Sequence, residues 1–191
     1  LRQAQQLART NVERLQSLAE EGTPIVGLEP SCVVTLKDEY PDLVPGAAAE
    51  AVARQTFMIE EFLQLLRERG VDLPLARREY RLLLHGHCHQ KAMVGTAPSL
   101  SALRSIPGAV VQEVDSGCCG MAGSFGFEAE HYETSLAMGR RVLFGAVREF
   151  PADGIIVAAG ASCRQQIFHG TGRRALHLVE VLANALDAAD R

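Results

Sequence analysis

Five cysteines carry most of the chemistry that this sequence could perform: Cys32, Cys88, the adjacent pair Cys118 and Cys119, and Cys163. A trans peptide holds neighbouring Cα atoms ~3.8 Å apart, less than the ~4.4 Å that a disulfide ordinarily needs, so a bond between Cys118 and Cys119 would be strained. The pair can instead offer two thiolates to one metal centre. Soft sulfur donors select iron–sulfur clusters, zinc or Cu(I) and disfavour calcium and magnesium. An odd number of cysteines is also a poor disulfide framework, and a reducing cytoplasm would keep all of them as thiols. The competing reading is that free cysteines simply pack in a core, as they often do.

The elements that must position these residues argue against simple packing. From Gln3 to Glu21 apolar residues recur at helical spacing until Gly22-Thr23-Pro24 stops them, which predicts an amphipathic helix. Ile25 to Leu28 reads as a short strand running into Glu29-Pro30-Ser31-Cys32. Asp38 to Gly46 reads as a loop, and Ala47 to Arg69 as one or two helices ended by Gly70. Arg81 to His85 is an apolar strand that opens into Gly86-His87-Cys88-His89. Leu100 to Arg104 predicts a short helix, and Ala109 to Val114 a strand leading into Asp115-Ser116-Gly117-Cys118-Cys119-Gly120. Glu128 to Phe150 predicts one long helix, Gly154 to Ala158 a strand with Cys163 at its mouth, and about Leu176 to Leu186 a last helix.

Alternating strands and helices predict an α/β fold with mainly parallel sheets flanked by helices, whose active crevice lies outside the carboxyl ends of the strands. Every cysteine falls at such an end. Core thiols would scatter through strand and helix interiors instead. A repeat is visible as well: Ile25-Val26-Gly27-Leu28-Glu29-Pro30-Ser31-Cys32 and Ile155-Ile156-Val157-Ala158-Ala159-Gly160-Ala161-Ser162-Cys163 share the order strand, small residues, Ser-Cys. Two pseudo-symmetric repeats are expected, over residues 1–78 and 79–191, with the first truncated. The chain opens on Leu1 rather than Met, which fits a piece of a longer polypeptide.

Thiolates ligate only when deprotonated, and Gly117, Gly120 and Gly123 free the backbone to aim N–H groups at them. His85, His87 and His89 lie beside Cys88, and any of them can ligate a metal directly or act from behind a ligand; the second role is favoured for His87 and His89. Gly120 to Gly126 lacks the pattern of a nucleotide phosphate loop, and neither Ser116 nor Ser162 sits in a nucleophile elbow. Composition excludes other classes. A 47% apolar content supplies a core without disulfides, and mixed charges with a net of −4 argue against nucleic acid. No apolar run nears the ~20 residues of a membrane span and the polar start is unlike a signal peptide, so a soluble, cytoplasmic protein is expected.

The spacing Cys88, Cys118-Cys119-Gly120, Cys163 resembles the cysteine-rich CCG domain family. His85-Gly86-His87-Cys88-His89 and Cys118-Cys119-Gly120-Met121-Ala122-Gly123-Ser124-Phe125-Gly126 look like that family's second repeat, and Glu29-Pro30-Ser31-Cys32 like the close of its first. The resemblance implies an iron–sulfur cluster, of the 4Fe-4S type, on Cys88, Cys118, Cys119 and Cys163, which Cys32 could join if the repeats face one another. Zinc is the alternative metal. His87, His89, Gly120 and Gln166 would support the ligands. It further implies an electron-transfer part of an oxidoreductase of the glycolate oxidase type, acting on a small 2-hydroxy acid at FAD on a flavin-binding oxidase domain or subunit. A quinone or other acceptor would take the electrons, and the parent protein could attach peripherally to the inner face of the cytoplasmic membrane. The sequence departs from the heterodisulfide reductase members at Cys163-Arg164-Gln165-Gln166, where those have Cys-x-x-Cys. That departure counts against disulfide reductase chemistry.

Overall fold

The computed structural model describes residues 1–187, and the chain divides into two compact units, residues 1–62 and the chain from 63 onwards. In the first, helix α1 (Arg2–Glu20) is followed by strand β1 (Ile25–Gly27), helix α2 (Pro30–Val34), a π-helical turn (Thr35–Glu39), helix α3 (Tyr40–Leu43), helix α4 (Ala47–Gln55) and strand β2 (Thr56–Met58). Ala8, Val12 and Ala19 of α1 are buried, and Val12 and Ala19 cluster with Ala49, Ala51 and Val52 of α4. β1 and β2 pair in parallel, Val26 opposite Phe57. Helix α5 (Ile59–Glu68) then carries the chain into the second unit.

One expectation fails here for a local reason, and another, of one or two helices over Ala47 to Arg69, holds as two helices with an unforeseen strand between them. Asp38 to Gly46 is helical as far as Leu43 rather than a loop, because Pro41 stands in the first turn of α3, where a missing N–H costs nothing. The stretch from Ala47 to Arg69 is interrupted by β2, whose β-branched Thr56 and aromatic Phe57 gain a strand partner in β1.

The second unit runs β3 (Arg81–His85), α6 (Cys88–Met93), α7 (Ala97–Arg104), β4 (Val110–Glu113), a 3-10 turn (Phe125–Phe127), α8 (Tyr132–Arg140), α9 (Leu143–Glu149), β5 (Ile155–Ala158), α10 (Ala161–Thr171), β6 (Ala175–Leu176) and α11 (Leu178–Ala185). Its strands form one parallel four-stranded sheet in the order β4-β3-β5-β6, so the α/β expectation with parallel sheets holds. Leu83, Ile156 and Ala158 cluster with Leu136, Leu143, Phe144, Val147 and Ile167 of α8, α9 and α10. Alternation turns Leu82, Leu84 and Val157, all buried, to the opposite face, the side of α7 and α11. A sheet covered on both sides explains the unbroken apolar run in β3.

The long helix expected over Glu128 to Phe150 breaks at Val142, whose φ of −144° leaves the helical region. The break lets Phe144 lodge between Gly139 and Gly170, where a Cβ on either glycine would lie 2.3 Å from its ring. Helices α6 and α10, each starting at or just before a cysteine, extend what the sequence suggested were only strand mouths. The last helix falls within the expected Leu176 to Leu186 and is capped by His177, which accepts from the Val179 N–H while Glu180 accepts from the His177 N–H. Among the described residues no helix is long and apolar enough to cross a membrane.

Candidate metal centre

In the second sheet the chain leaves β3 for β4 on one side, and β5 then adds on the other. The crevice outside the carboxyl ends of β3 and β5 is therefore the switch point where α/β folds collect ligands. Three chain segments enter it. After His85 the backbone turns at Gly86, where a Cβ would meet Thr96 Cγ2 at 2.4 Å and Lys91 Cγ at 3.1 Å, so His87 and Cys88 can start α6 over the strand end. After β4 the turn at Ser116 to Gly120 brings in Cys118 and Cys119. Gly120 has a φ of +103°, and a Cβ there would lie 2.1 Å from the Ser135 carbonyl oxygen. After β5, Gly160 leads into α10 and places Cys163 in its first turn; a Cβ at Gly160 would lie 2.6 Å from His87 Cδ2 and 3.2 Å from Cys163 Sγ.

The result is a connected set of thiols, Cys88 to Cys118 to Cys119 to Cys163, with Cys119 and Cys163 buried and Cys88 and Cys118 half-buried. All five cysteines of the chain are free. Within the set two sulfurs act as hydrogen-bond acceptors and are lowered by it. Cys118 is held far below the ordinary thiol range because Cys119 and Cys88 donate to it, with the Gly120 N–H adding a bond at 3.3 Å. Cys163 is also lowered, first by the bond from Cys119 and then by the His85 imidazole, against the cost of its burial. Cys88 and Cys119 are pushed up, as donors to Cys118 and, for Cys119, to Cys163 as well. A cluster of soft donors, two of them shifted towards the thiolate, is what a thiophilic metal group requires.

Two imidazoles complete the surroundings. His85 is 1% exposed and continues the parity of Leu83, so its ring lies on the face of Cys119 and Cys163. One ring nitrogen of His85 and the Sγ atoms of Cys119 and Cys163 all lie within 4.8 Å of one another. Its Nδ1 is 2.9 Å from the Ser116 hydroxyl, while its Nε2 is buried with no nitrogen or oxygen partner and the ring faces the Cys163 sulfur. His87 is also buried, with its Nδ1 unpartnered. Two ring nitrogens buried with no nitrogen or oxygen partner are costly unless a ligand meets them, so the residues present fit a bound metal group.

The structure thus assembles Cys88, Cys118, Cys119 and Cys163, whereas Cys32 is an exposed residue on α2 of the first unit. His87 lies beside Cys163, and His89 contributes its backbone N–H to the Cys88 sulfur. Gln166, 2% exposed, donates to the carbonyl and hydroxyl of Ser135 at 3.2 and 2.9 Å and so braces α8 against the Gly120 turn. Of the three candidate histidines His85 comes nearest the buried thiols, and Lys91, outside the expected set, also belongs to the site. His85 is set by strand parity, a signal present in the Leu82-Leu83-Leu84 run but usable only once the strand is known to stop at His85. Lys91, whose ammonium donates to the Ser116 carbonyl, had no sequence signal at all. A cavity of about 230 Å³, lined by residues including Asp115, Cys118, Met138 and Arg141, opens onto Cys118.

Residues 82–168, which hold all four of these cysteines, match the family model described as a cysteine-rich domain. The chain is 33% identical over 184 residues to one subunit of the anaerobic glycerol-3-phosphate dehydrogenase of Escherichia coli K12, an alignment covering 96% of this chain and 46% of that protein. It is 31% identical over 183 residues to the D-2-hydroxyglutarate dehydrogenase of Pantoea ananatis, covering 93% of this chain and 17% of that protein. The D-2-hydroxyglutarate dehydrogenase of Pseudomonas putida KT2440 is 32% identical over 176 residues, covering 90% of this chain and 16% of its own length. The chain therefore spans about half the length of the first relative and about a sixth of the other two.

Proposed function

Residues 82–168 are a cysteine-rich domain of the CCG family, and from that premise we propose that the chain holds an iron–sulfur cluster and passes electrons within a larger flavin-dependent oxidoreductase. Cys88, Cys118, Cys119 and Cys163 are its ligands, and the cluster is of the 4Fe-4S type. The observation that carries this reading is the meeting of these four sulfurs, from three segments far apart in sequence, at the switch point of one sheet.

When bound, such a cluster supplies storage and release of single electrons. The chain's own residues supply the rest. Backbone N–H groups of His89, Gly120 and Met121 donate to the sulfurs of Cys88, Cys118 and Cys119 and stabilise negative charge there. The buried walls around Cys119 and Cys163 keep water from one side of the site. Similarity to two D-2-hydroxyglutarate dehydrogenases and to part of a glycerol-3-phosphate dehydrogenase supports the oxidoreductase class. The substrate reading is a small 2-hydroxy acid oxidised at FAD on another domain or subunit, with a quinone or comparable acceptor. The setting is the cytoplasm or the inner face of the cytoplasmic membrane. The chain alone is expected not to turn over substrate.

A second reading is a structural zinc site, favoured by the tight group of His85, Cys119 and Cys163, whose donor atoms lie close enough to share one ion. Anaerobic reconstitution separates the two. The cluster reading expects stoichiometric iron and sulfide with a paramagnetic signal in one redox state, and protein that takes up neither overturns it. One tightly held zinc per chain, in protein purified without added iron, would favour the second.

A further inference from the structure

We infer that His85 is itself a ligand of the metal centre, binding through Nε2 beside Cys119 and Cys163, with Ser116 as its positioning residue. This rests on the metal-binding reading above and adds a nitrogen donor to a site so far described by sulfur alone.

Four observations converge on it. The ring is 1% exposed, so water cannot satisfy it. One of its nitrogens and two thiol sulfurs lie within 4.8 Å of one another, close enough for all three to reach one metal centre when bond lengths are about 2.0 Å to nitrogen and about 2.3 Å to sulfur. Nδ1 is engaged by the Ser116 hydroxyl at 2.9 Å, which leaves Nε2 as the nitrogen available to the site. Nε2 is buried with no nitrogen or oxygen partner, and the ring faces the Cys163 sulfur. When Nδ1–H donates to the serine oxygen, the lone pair sits on Nε2, the arrangement that metal-bound histidines use. Ser116 is in turn held, since its carbonyl accepts from Lys91. The neighbouring His87 lies near Cys163 at the start of α6, but no comparable group engages its buried Nδ1.

A neutral imidazole in place of a further thiolate leaves the centre less negative, and histidine ligation of this kind raises the reduction potential of iron–sulfur centres. His85 is therefore a device for setting the potential as well as for holding the metal.

The test uses the full chain, reconstituted anaerobically, with histidine carrying either nitrogen isotope. Pulsed electron paramagnetic resonance should detect a strongly coupled imidazole nitrogen whose splitting follows the isotope. Wild-type protein suffices for this measurement. His85→Cys, which still offers a ligand, should keep iron and sulfide, lose the coupling and move to a more negative midpoint potential; His87→Gln should keep the coupling. A loaded wild-type cluster without strong nitrogen coupling, or coupling that survives in His85→Cys, overturns the inference and leaves the cluster reading standing. If no iron is taken up, the cluster reading has failed, and Co(II) titration of the metal-free protein decides the role of His85. A loss of affinity of at least ~10-fold in His85→Gln upholds it, whereas equal affinities, or no Co(II) binding by wild type, overturn it.

Discussion

At Gly120 a single hydrogen atom in place of a side chain decides whether the site can form. The residue combines a φ of +103° with a neighbour, the Ser135 carbonyl, that a Cβ would approach to 2.1 Å. Gly120→Ala should therefore cost about 3 kcal/mol through backbone strain and overpacking, and metal content should fall with it. Thermal melting and iron analysis on the same samples check both. Charge at the thiols leads to a second outcome. In metal-free protein Cys118, lowered by the bonds from Cys119 and Cys88, stays thiolate as the pH falls below the ordinary thiol pKa of ~8.5. Its alkylation rate should hold nearly level through neutral pH, where an unperturbed thiol would slow about tenfold per unit. Cys88, raised by donating to Cys118, should stay unmodified over the same range. Peptide mass spectrometry after timed iodoacetamide treatment distinguishes them, and equal, steeply falling rates would count against the thiol network.

Among elements, the helices on one face of the second sheet are locked by two devices. Phe144 of α9 lies against Gly139 of α8 and Gly170 of α10, so the three helices meet around one ring. Gly139→Ala gains ~1 kcal/mol of helix propensity but drives a methyl into a ring walled on its other side, and a net loss of about 1–3 kcal/mol is expected in chemical denaturation. Arg173 is the other device. Its guanidinium donates to the carbonyls of Val147, Phe150, Pro151 and Gly154 at 2.7 to 3.0 Å, closing the end of α9 and the turn into β5. Arg173→Ala should lower stability by about 2–3 kcal/mol, and Arg173→Lys should recover little because an ammonium cannot fork across four acceptors. Neither substitution touches a sulfur. The electronic spectrum of reconstituted protein should be unchanged, and an altered spectrum would mean that α9 bears on the site.

For the whole molecule the pertinent fact is that the chain divides at residue 62, with all four converging cysteines in the second unit and Cys32 in the first. The second unit also contains the whole stretch matched by the family model. A donor set complete within one unit leads to a definite expectation: Cys32→Ser in the full chain keeps iron and sulfide near wild-type levels. A fall to half or less would make Cys32 a ligand, and the two units partners in one centre. The repeat seen in the sequence, with Ser-Cys after a strand in both halves, makes this the most informative single substitution for the relation between them.

Residue types and short-range periodicity determined a good deal. The α/β class, the strands β1, β3, β4 and β5, and the position of cysteines beyond strand ends all followed from apolar runs stopped by glycine, interactions that span only a few residues. Soft-metal chemistry followed from sulfur itself. Tertiary structure decided the rest. β2 exists because β1 lies beside it, and the break before α9 exists because Phe144 finds room between two glycines of other helices. The choice of His85 over His89 as the imidazole facing the thiols depends on where β3 stops, which hydrogen bonds to β4 and β5 settle. That Cys88, Cys118, Cys119 and Cys163 meet at all depends on the strand order β4-β3-β5-β6, an outcome of burying both faces of one sheet that no local stretch of sequence contains.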